Sequence, residues 1–274
     1  MTRLGKTFAT ASLALAMAAS LAFAQEGTTQ DPRLFTPGKL TVATSDPSYP
    51  PWVLNNDPAA GEGFEAALVY ALAEELGFGR QDVVWVDVTF DGAIAPGPKA
   101  YDFSIQQISV TAERAAVATF SRVYYQPEKA LIVMADSPLM NATSFAELRE
   151  ARWGVAIGTT DLTYVENILG IDNAALFNDQ AAVFQAMQAG QIDATVTALP
   201  TALYVTAVQV PDARIAALLP IDEHDEGFGL LFEYENPIVP WIDEALGAIL
   251  DDGTVQAIAD QYLTADLNAR VIAE

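Results

Sequence analysis

The sequence predicts an α/β protein built on a largely parallel sheet, and two observations carry that prediction. Short apolar runs of strand composition alternate with segments of helical period along the whole chain, the signature of helices layered on a sheet. The 274 residues leave roughly 250 once a leader is removed, enough for two lobes with separate cores. With no cysteine, no disulfide forms, and stability rests on those cores.

The elements follow in order. Residues 1–24 read as an export signal: Arg3 and Lys6 precede an apolar run from Phe8 to about Leu21, and Ala22-Phe23-Ala24 supplies small residues for cleavage. The run is short for a membrane anchor. Residues 25–37, with Gly27, Pro32 and Pro37, read as a flexible lead-in. A strand is predicted over 40–44. Phe64, Leu68, Leu72 and Leu76 recur at every fourth position beside Ala67 and Ala71, which predicts a core-packed helix over 63–76 that stops at Gly77. Further strands are predicted over 83–88, 130–134, 153–157 and 194–198. Ser144 and Glu147 have the spacing of a capping box, and Asp179 is placed to cap a helix over 180–189 that ends at Gly190.

Charge narrows the function. Thirteen basic side chains stand against 36 acidic ones, a formal net charge of -23 that deepens when Arg3 and Lys6 leave with the signal. Such a surface excludes nucleic acid as a partner and favours solubility through self-repulsion. An anionic ligand would then depend on local donors.

Such donors occur in two places. Ser109-Val110-Thr111-Ala112-Glu113-Arg114 ends in a guanidinium that can offer parallel N–H groups to a carboxylate, and Gly158-Thr159-Thr160 sets hydroxyls at a helix start. Taken singly, Arg114 also reads as a surface ion pair and Gly-Thr-Thr as an ordinary strand-to-helix turn.

Together with their surroundings these segments resemble the polar-amino-acid branch of the bacterial periplasmic solute-binding proteins that serve ABC importers (extracellular solute-binding protein family 3). The resemblance runs through Asp46-Pro47-Ser48-Tyr49-Pro50-Pro51-Trp52 after the first strand, Gly63-Phe64-Glu65 where the family usually has Gly-Phe-Asp, Tyr101-Asp102-Phe103, the run to Arg114, and Phe120-Ser121. It continues with Gly190-Gln191-Ile192-Asp193-Ala194, Gly227-Phe228-Gly229-Leu230 and Asp252-Gly253-Thr254. It implies a two-lobed type II periplasmic binding fold with a hinge of two crossing segments near 125–128 and 222–227. Lobe 1 would comprise residues 38–126 and 228–274, and lobe 2 residues 127–227. It also implies a periplasmic location, an amino acid or related small carboxylate as ligand, an ABC permease as partner, a monomer, and neither cofactor nor metal.

Site residues follow from the same resemblance. Arg114, Ser109, Thr159 and Thr160 would hold the ligand carboxylate, Tyr49 and Trp52 would wall its side chain, and Asp46 lies where some relatives bind a cationic end. The chain departs from the pattern where relatives carry an aspartate for the ligand ammonium: Ala198 stands there. Either another acid (Glu65, Asp102 or Glu226) reaches in, or the ligand lacks an ordinary α-amino group. Gln107, Thr197 and Thr201 could then hold a hydroxyl, keto or amide group. Two rivals share the architecture, a dehydratase-like enzyme acting on a small carboxylate and a sensor partner. The sequence offers no Ser/His/Asp set, and its one histidine, His224, sits in an acidic loop.

Overall fold

In the computed structural model, which describes residues 26–263 and 270–272, strand β1 (Leu40–Thr44) is buried along its whole length. Its Leu, Val and Thr side chains suit a strand covered on both faces. β1 pairs in parallel with β2 (Val83–Asp87) and β3 (Phe103–Ser104). Helix α1 (Phe64–Glu75) lays Phe64, Leu68, Val69 and Leu72 on this sheet, and it ends where Gly77 takes a positive φ of 85° while Phe78 N–H bonds to Ala73 O at 2.8 Å. Helix α2 (Phe90–Ile94) and the single turn α3 (Ala112–Ala115) follow, and then strand β4 (Thr119–Tyr125).

The chain next enters a second sheet. β5 (Lys129–Met134) pairs antiparallel with β8 (Ala194–Ala198) and β9 (Ala213–Leu219). β6 (Gly154–Ala156) and β7 (Ala175–Phe177) pair in parallel, and a Trp153 to Ala194 bridge joins them to β8. Helix α4 (Phe145–Leu148), the turn α5 (Thr160–Thr163), helix α6 (Gln180–Gln188) and helix α7 (Leu199–Tyr204) cover its two faces. The chain returns through β10 (Phe228–Phe232), which lies between β3 and β4, and closes with α8 (Val239–Asp251) and α9 (Thr254–Tyr262). Two sheets with separate apolar cores make a two-lobed α/β fold.

The two crossings run side by side. Gly227 has φ 103°, and a Cβ there would sit 2.8 Å from Tyr125 O on the other crossing, so glycine permits the close approach. Val110 N–H donates to Gly227 O at 2.7 Å, which ties the return segment to the first lobe.

Three expectations change. The sheets are less parallel than predicted, because β5 and β10 each enter their lobe from the other one and so run against strands that end at the junction. Residues 26–37 are docked, not a flexible lead-in: Leu34 lies in the first core and Asp31 is fully buried against Arg33 (2.6 Å) and Gly27 N–H (2.6 Å). That pairing with Arg33 holds the Asp31 carboxyl down at about 2. The end of the chain also leaves lobe 1, to which 228–274 was assigned. Leu218 N–H donates to Arg270 O (2.7 Å), Ile272 N–H donates to Leu218 O (3.0 Å), and Ile272 is buried in the second lobe's core. β9 would otherwise expose an unpaired edge. The predicted signal at 1–24 lies outside the described residues.

Candidate functional site

A cavity of about 390 Å³ lies between the lobes, at the ends of the parallel strands. This is where α/β sheets generally bind ligands. β1 delivers Ser45 and Asp46 to it, β3 delivers Gln106 and Gln107, and β7 delivers Asn178 and Asp179, while β5 and β10 begin at its wall with Lys129 and Phe228.

Arg114 comes from the single turn α3, where Thr111 Oγ1 accepts from Arg114 N–H at 3.2 Å. The residue is 9% exposed, and its guanidinium carbon lies 5.4 Å from the centre of the Phe90 ring. Nη1 donates to Ser109 O (2.7 Å) and Nη2 to Gly158 O of the other lobe (2.9 Å). That leaves Nε–H and a second hydrogen on each Nη. Among the described residues no carboxylate oxygen lies within 4.0 Å of it. Burial lowers its pKa, opposed by the more distant Asp225, Glu113 and Asp161, and a guanidinium stays charged regardless.

Ser109 Oγ bonds to Asp225 Oδ2 (3.0 Å) and to Thr160 Oγ1 (3.1 Å). A carboxylate only accepts, so Ser109 gives its proton to Asp225 and Thr160 donates to Ser109 across the cleft. Thr159 spends its hydroxyl locally, donating to Ala156 O (2.7 Å) and capping Leu162 N–H (3.2 Å). Asp225 leads to a residue that sequence reasoning passed over. Lys129, 8% exposed, holds Asp161 at 2.8 Å and Asp225 at 3.6 Å. Burial disfavours its charge, but the two aspartates outweigh that and raise its pKa above the usual lysine value. A lysine opening an apolar run, next to a crossing, was the available signal.

Tyr49 belongs to lobe 1 but packs on lobe 2, with its ring 5.6 Å from Phe184 and 6.2 Å from Tyr204 and its hydroxyl bonded to Gln209 Oε1. Trp52 is not a wall of the cavity. It lies fully buried behind the wall between Phe64, Tyr125 and Phe228, and its Nε1–H donates to Thr201 Oγ1 at 2.8 Å. Asp46 stands exposed at the cavity mouth, accepting from Asn56 Nδ2 at 2.8 Å. Thr197 Oγ1 accepts from Gln180 Nε2 at 2.7 Å, and Ala198 presents a methyl group to the cavity.

None of the three acids considered as substitutes at the Ala198 position lines the cavity. Glu65 is fully buried and accepts from Gln107 N–H (2.7 Å), Gln107 Nε2 and Tyr124 hydroxyl. Burial lifts its carboxyl to about 7 against those donors. Asp102 accepts from Phe35 N–H and Thr41 N–H, both at 2.7 Å, and Glu226 is exposed. Asp91, Asp161 and Asp179 line the cavity instead, with Asp46. His224 is 91% exposed beside Asp222 and outside the cavity.

A family profile, bacterial extracellular solute-binding proteins, family 3, matches residues 40–265. The chain belongs to this family. It is similar to the L-cystine-binding protein TcyJ of Escherichia coli K12, at 24% identity over 97% of this chain and 98% of the relative. Among solved structures it is similar to an ancestral arginine-binding protein bound to arginine (TM-score 0.68, 25% identity, 83% of this chain and 99% of that one). A second is the ancestral amino acid-binding protein AncCDT-1, a precursor of cyclohexadienyl dehydratase (TM-score 0.68, 25% identity, 83% and 96%). Membership makes the chain a solute-binding protein with the type II periplasmic binding fold, and the interlobe cavity is its candidate solute site. Among the described residues no helix is long and apolar enough to cross a membrane, and no cluster of His, Asp and Glu has a metal-binding arrangement.

Proposed function

We propose that this family member captures an amino acid or related small carboxylate in the periplasm, after cleavage of its signal, and delivers it to an ABC permease. One observation carries the reading: Arg114 is a buried cation in the cavity with unused donors and, among the described residues, no carboxylate oxygen within 4.0 Å. A charge withdrawn from water without a counter-charge is costly, and a ligand carboxylate supplies that counter-charge. Lys129 makes the contrast, since Asp161 and Asp225 both contact it directly. On this reading Arg114 takes the carboxylate, Ser109 and Thr160 close over it, and Tyr49 borders the remainder of the ligand. Asp46 and Asp179 at the lining suit a polar or cationic far end, in keeping with relatives named for arginine and cystine.

The chain acts by binding and not by turnover. General acid-base chemistry needs a group poised over the substrate, whereas Asp161 is held by Lys129, Asp179 caps α6 and His224 faces solvent. Thermal-shift and calorimetric titration with L-arginine, L-cystine and L-glutamine, each beside its decarboxylated amine, tests the proposal. The amino acids should raise the melting point and the amines should not, and Arg114→Ala should remove the effect. Equal binding of the amines, or full affinity in Arg114→Ala, refutes the assignment.

A further inference from the structure

Gln106 leaves β3 at the cavity wall and is 3% exposed. Its Nε2 donates to Ser104 Oγ at 2.9 Å, and Ser104 donates its one hydroxyl proton to Ala43 O at 3.3 Å. Ser104 can therefore only accept from Gln106, which turns the amide nitrogen toward Ser104 and the carbonyl oxygen away from it. That oxygen, Oε1, has no hydrogen-bond partner among the described residues. The other side-chain atom in this position, the Tyr101 hydroxyl, belongs to a residue outside the cavity lining. Buried acceptors are almost always satisfied, so an orphan at a cavity wall implies a donor that arrives from elsewhere.

Four other acceptors at the lining already have partners. Asp161 holds Lys129, Asp46 holds Asn56, Asp179 holds the Ala182 N–H, and Thr197 holds Gln180. Glu65 is engaged behind the wall, and position 198 offers a methyl group. We propose that Gln106 Oε1 is a ligand-binding acceptor that receives an N–H or O–H group of the solute, so that the cavity selects at this point for a hydrogen-bond donor and not for positive charge. The ligand class is then a small carboxylate carrying such a donor, whether ammonium or hydroxyl. This inference rests on the cavity being the solute site.

Calorimetry with L-arginine, L-cystine and L-glutamine, and with the 2-hydroxy and 2-deoxy (hydrogen-substituted) counterparts of each, tests it on wild type, Gln106→Met, Gln106→Glu and Arg114→Ala. Gln106→Met should weaken binding of the best probe by about tenfold. It should leave the ligand-free melting point unchanged or higher, because Ser104 keeps Ala43 O and a buried orphan disappears. A merely structural glutamine would lower it. Gln106→Glu separates the two donor sources, tightening the amino acid relative to its hydroxy analogue if the donor is ammonium and showing no such preference if it is hydroxyl. Wild-type affinity in Gln106→Met, with binding lost in Arg114→Ala, overturns this inference alone. Failure of every probe on the wild type, or full binding by Arg114→Ala, overturns the site reading and this inference with it.

Discussion

Replacing Lys129 with methionine removes one charge and little volume from a group of three buried ions. The side chains of Lys129, Asp161 and Asp225 are 9%, 14% and 6% exposed, with nitrogen-to-oxygen separations of 2.8 and 3.6 Å. At an effective dielectric of about 20 the gross attractions are roughly 6 and 5 kcal/mol. Desolvation of three ions offsets most of that, so the intact group contributes little net stability. The variant keeps the desolvation of the two carboxylates and loses their attraction to the ammonium, which costs about 3–5 kcal/mol. For a chain of this length that lowers the melting point by roughly 10 °C or more. Urea unfolding followed by tryptophan fluorescence measures it, and 0.5 M salt should change the deficit little, because buried ions are weakly screened. Lys129→Met combined with Asp161→Asn should recover part of the loss. A single variant within about 1 kcal/mol of wild type would show that the triad is not a desolvated unit.

Two further perturbations address other parts of the fold. Glu65 has its carboxyl raised from 4.5 to about 7, so the folded state keeps a proton that the unfolded chain releases. Its contribution is whole below pH 4.5 and lost as pH rises through 7, about 3 kcal/mol in all. Glu65→Gln should flatten the wild-type slope of stability between pH 5 and 8, and an unchanged slope would place the titration elsewhere. Ile272→Ala should cost about 2 kcal/mol and speed hydrogen exchange at the Leu218 amide, since Ile272 is 1% exposed and its neighbour Arg270 holds that amide. Unchanged exchange at Leu218 would deny the tail a role in closing the β9 edge.

What the sequence made legible was what short-range periodicity and turn chemistry determine. Helix α1 was readable from Phe64, Leu68 and Leu72 and from the stop at Gly77, and α6 from the Asp179 cap, because each depends on residues a few positions apart. Strand direction was not readable. Whether β5 runs with or against β8 depends on which lobe the chain has just left, which no local pattern records. The lead-in failed for a related reason: Pro32, Pro37 and Gly27 suggested freedom, but Asp31 and Leu34 find partners in the fold. At the cavity, Ser109 and Arg114 were visible as a motif. Lys129, Asp161 and Gln106 were not, because a lysine at a strand start or a glutamine after a short strand looks ordinary until the far lobe supplies its partners. Trp52 misled in the opposite sense, since an aromatic near a cleft and an aromatic behind its wall have the same sequence.

The acidity of the whole molecule sharpens the case for a local anion site. A net charge of -23 repels a free carboxylate, yet at physiological ionic strength charges beyond about 8 Å are largely screened, and a zwitterion carries no net charge to repel. The contest is settled inside the cavity. There the two cations differ in contact: Lys129 holds Asp161 and Asp225 directly, whereas Asp225, Glu113 and Asp161 act on Arg114 only from beyond 4.0 Å. Arg114 is also held in place by two backbone carbonyls, one from each lobe, which fix its plane without neutralising it. On the proposed reading, a ligand carboxylate can take Nε–H and a remaining Nη hydrogen while the bond to Gly158 O stays intact. Capture then adds to the bridge between the lobes instead of replacing it, and occupancy favours the closed form by the full strength of that new pair.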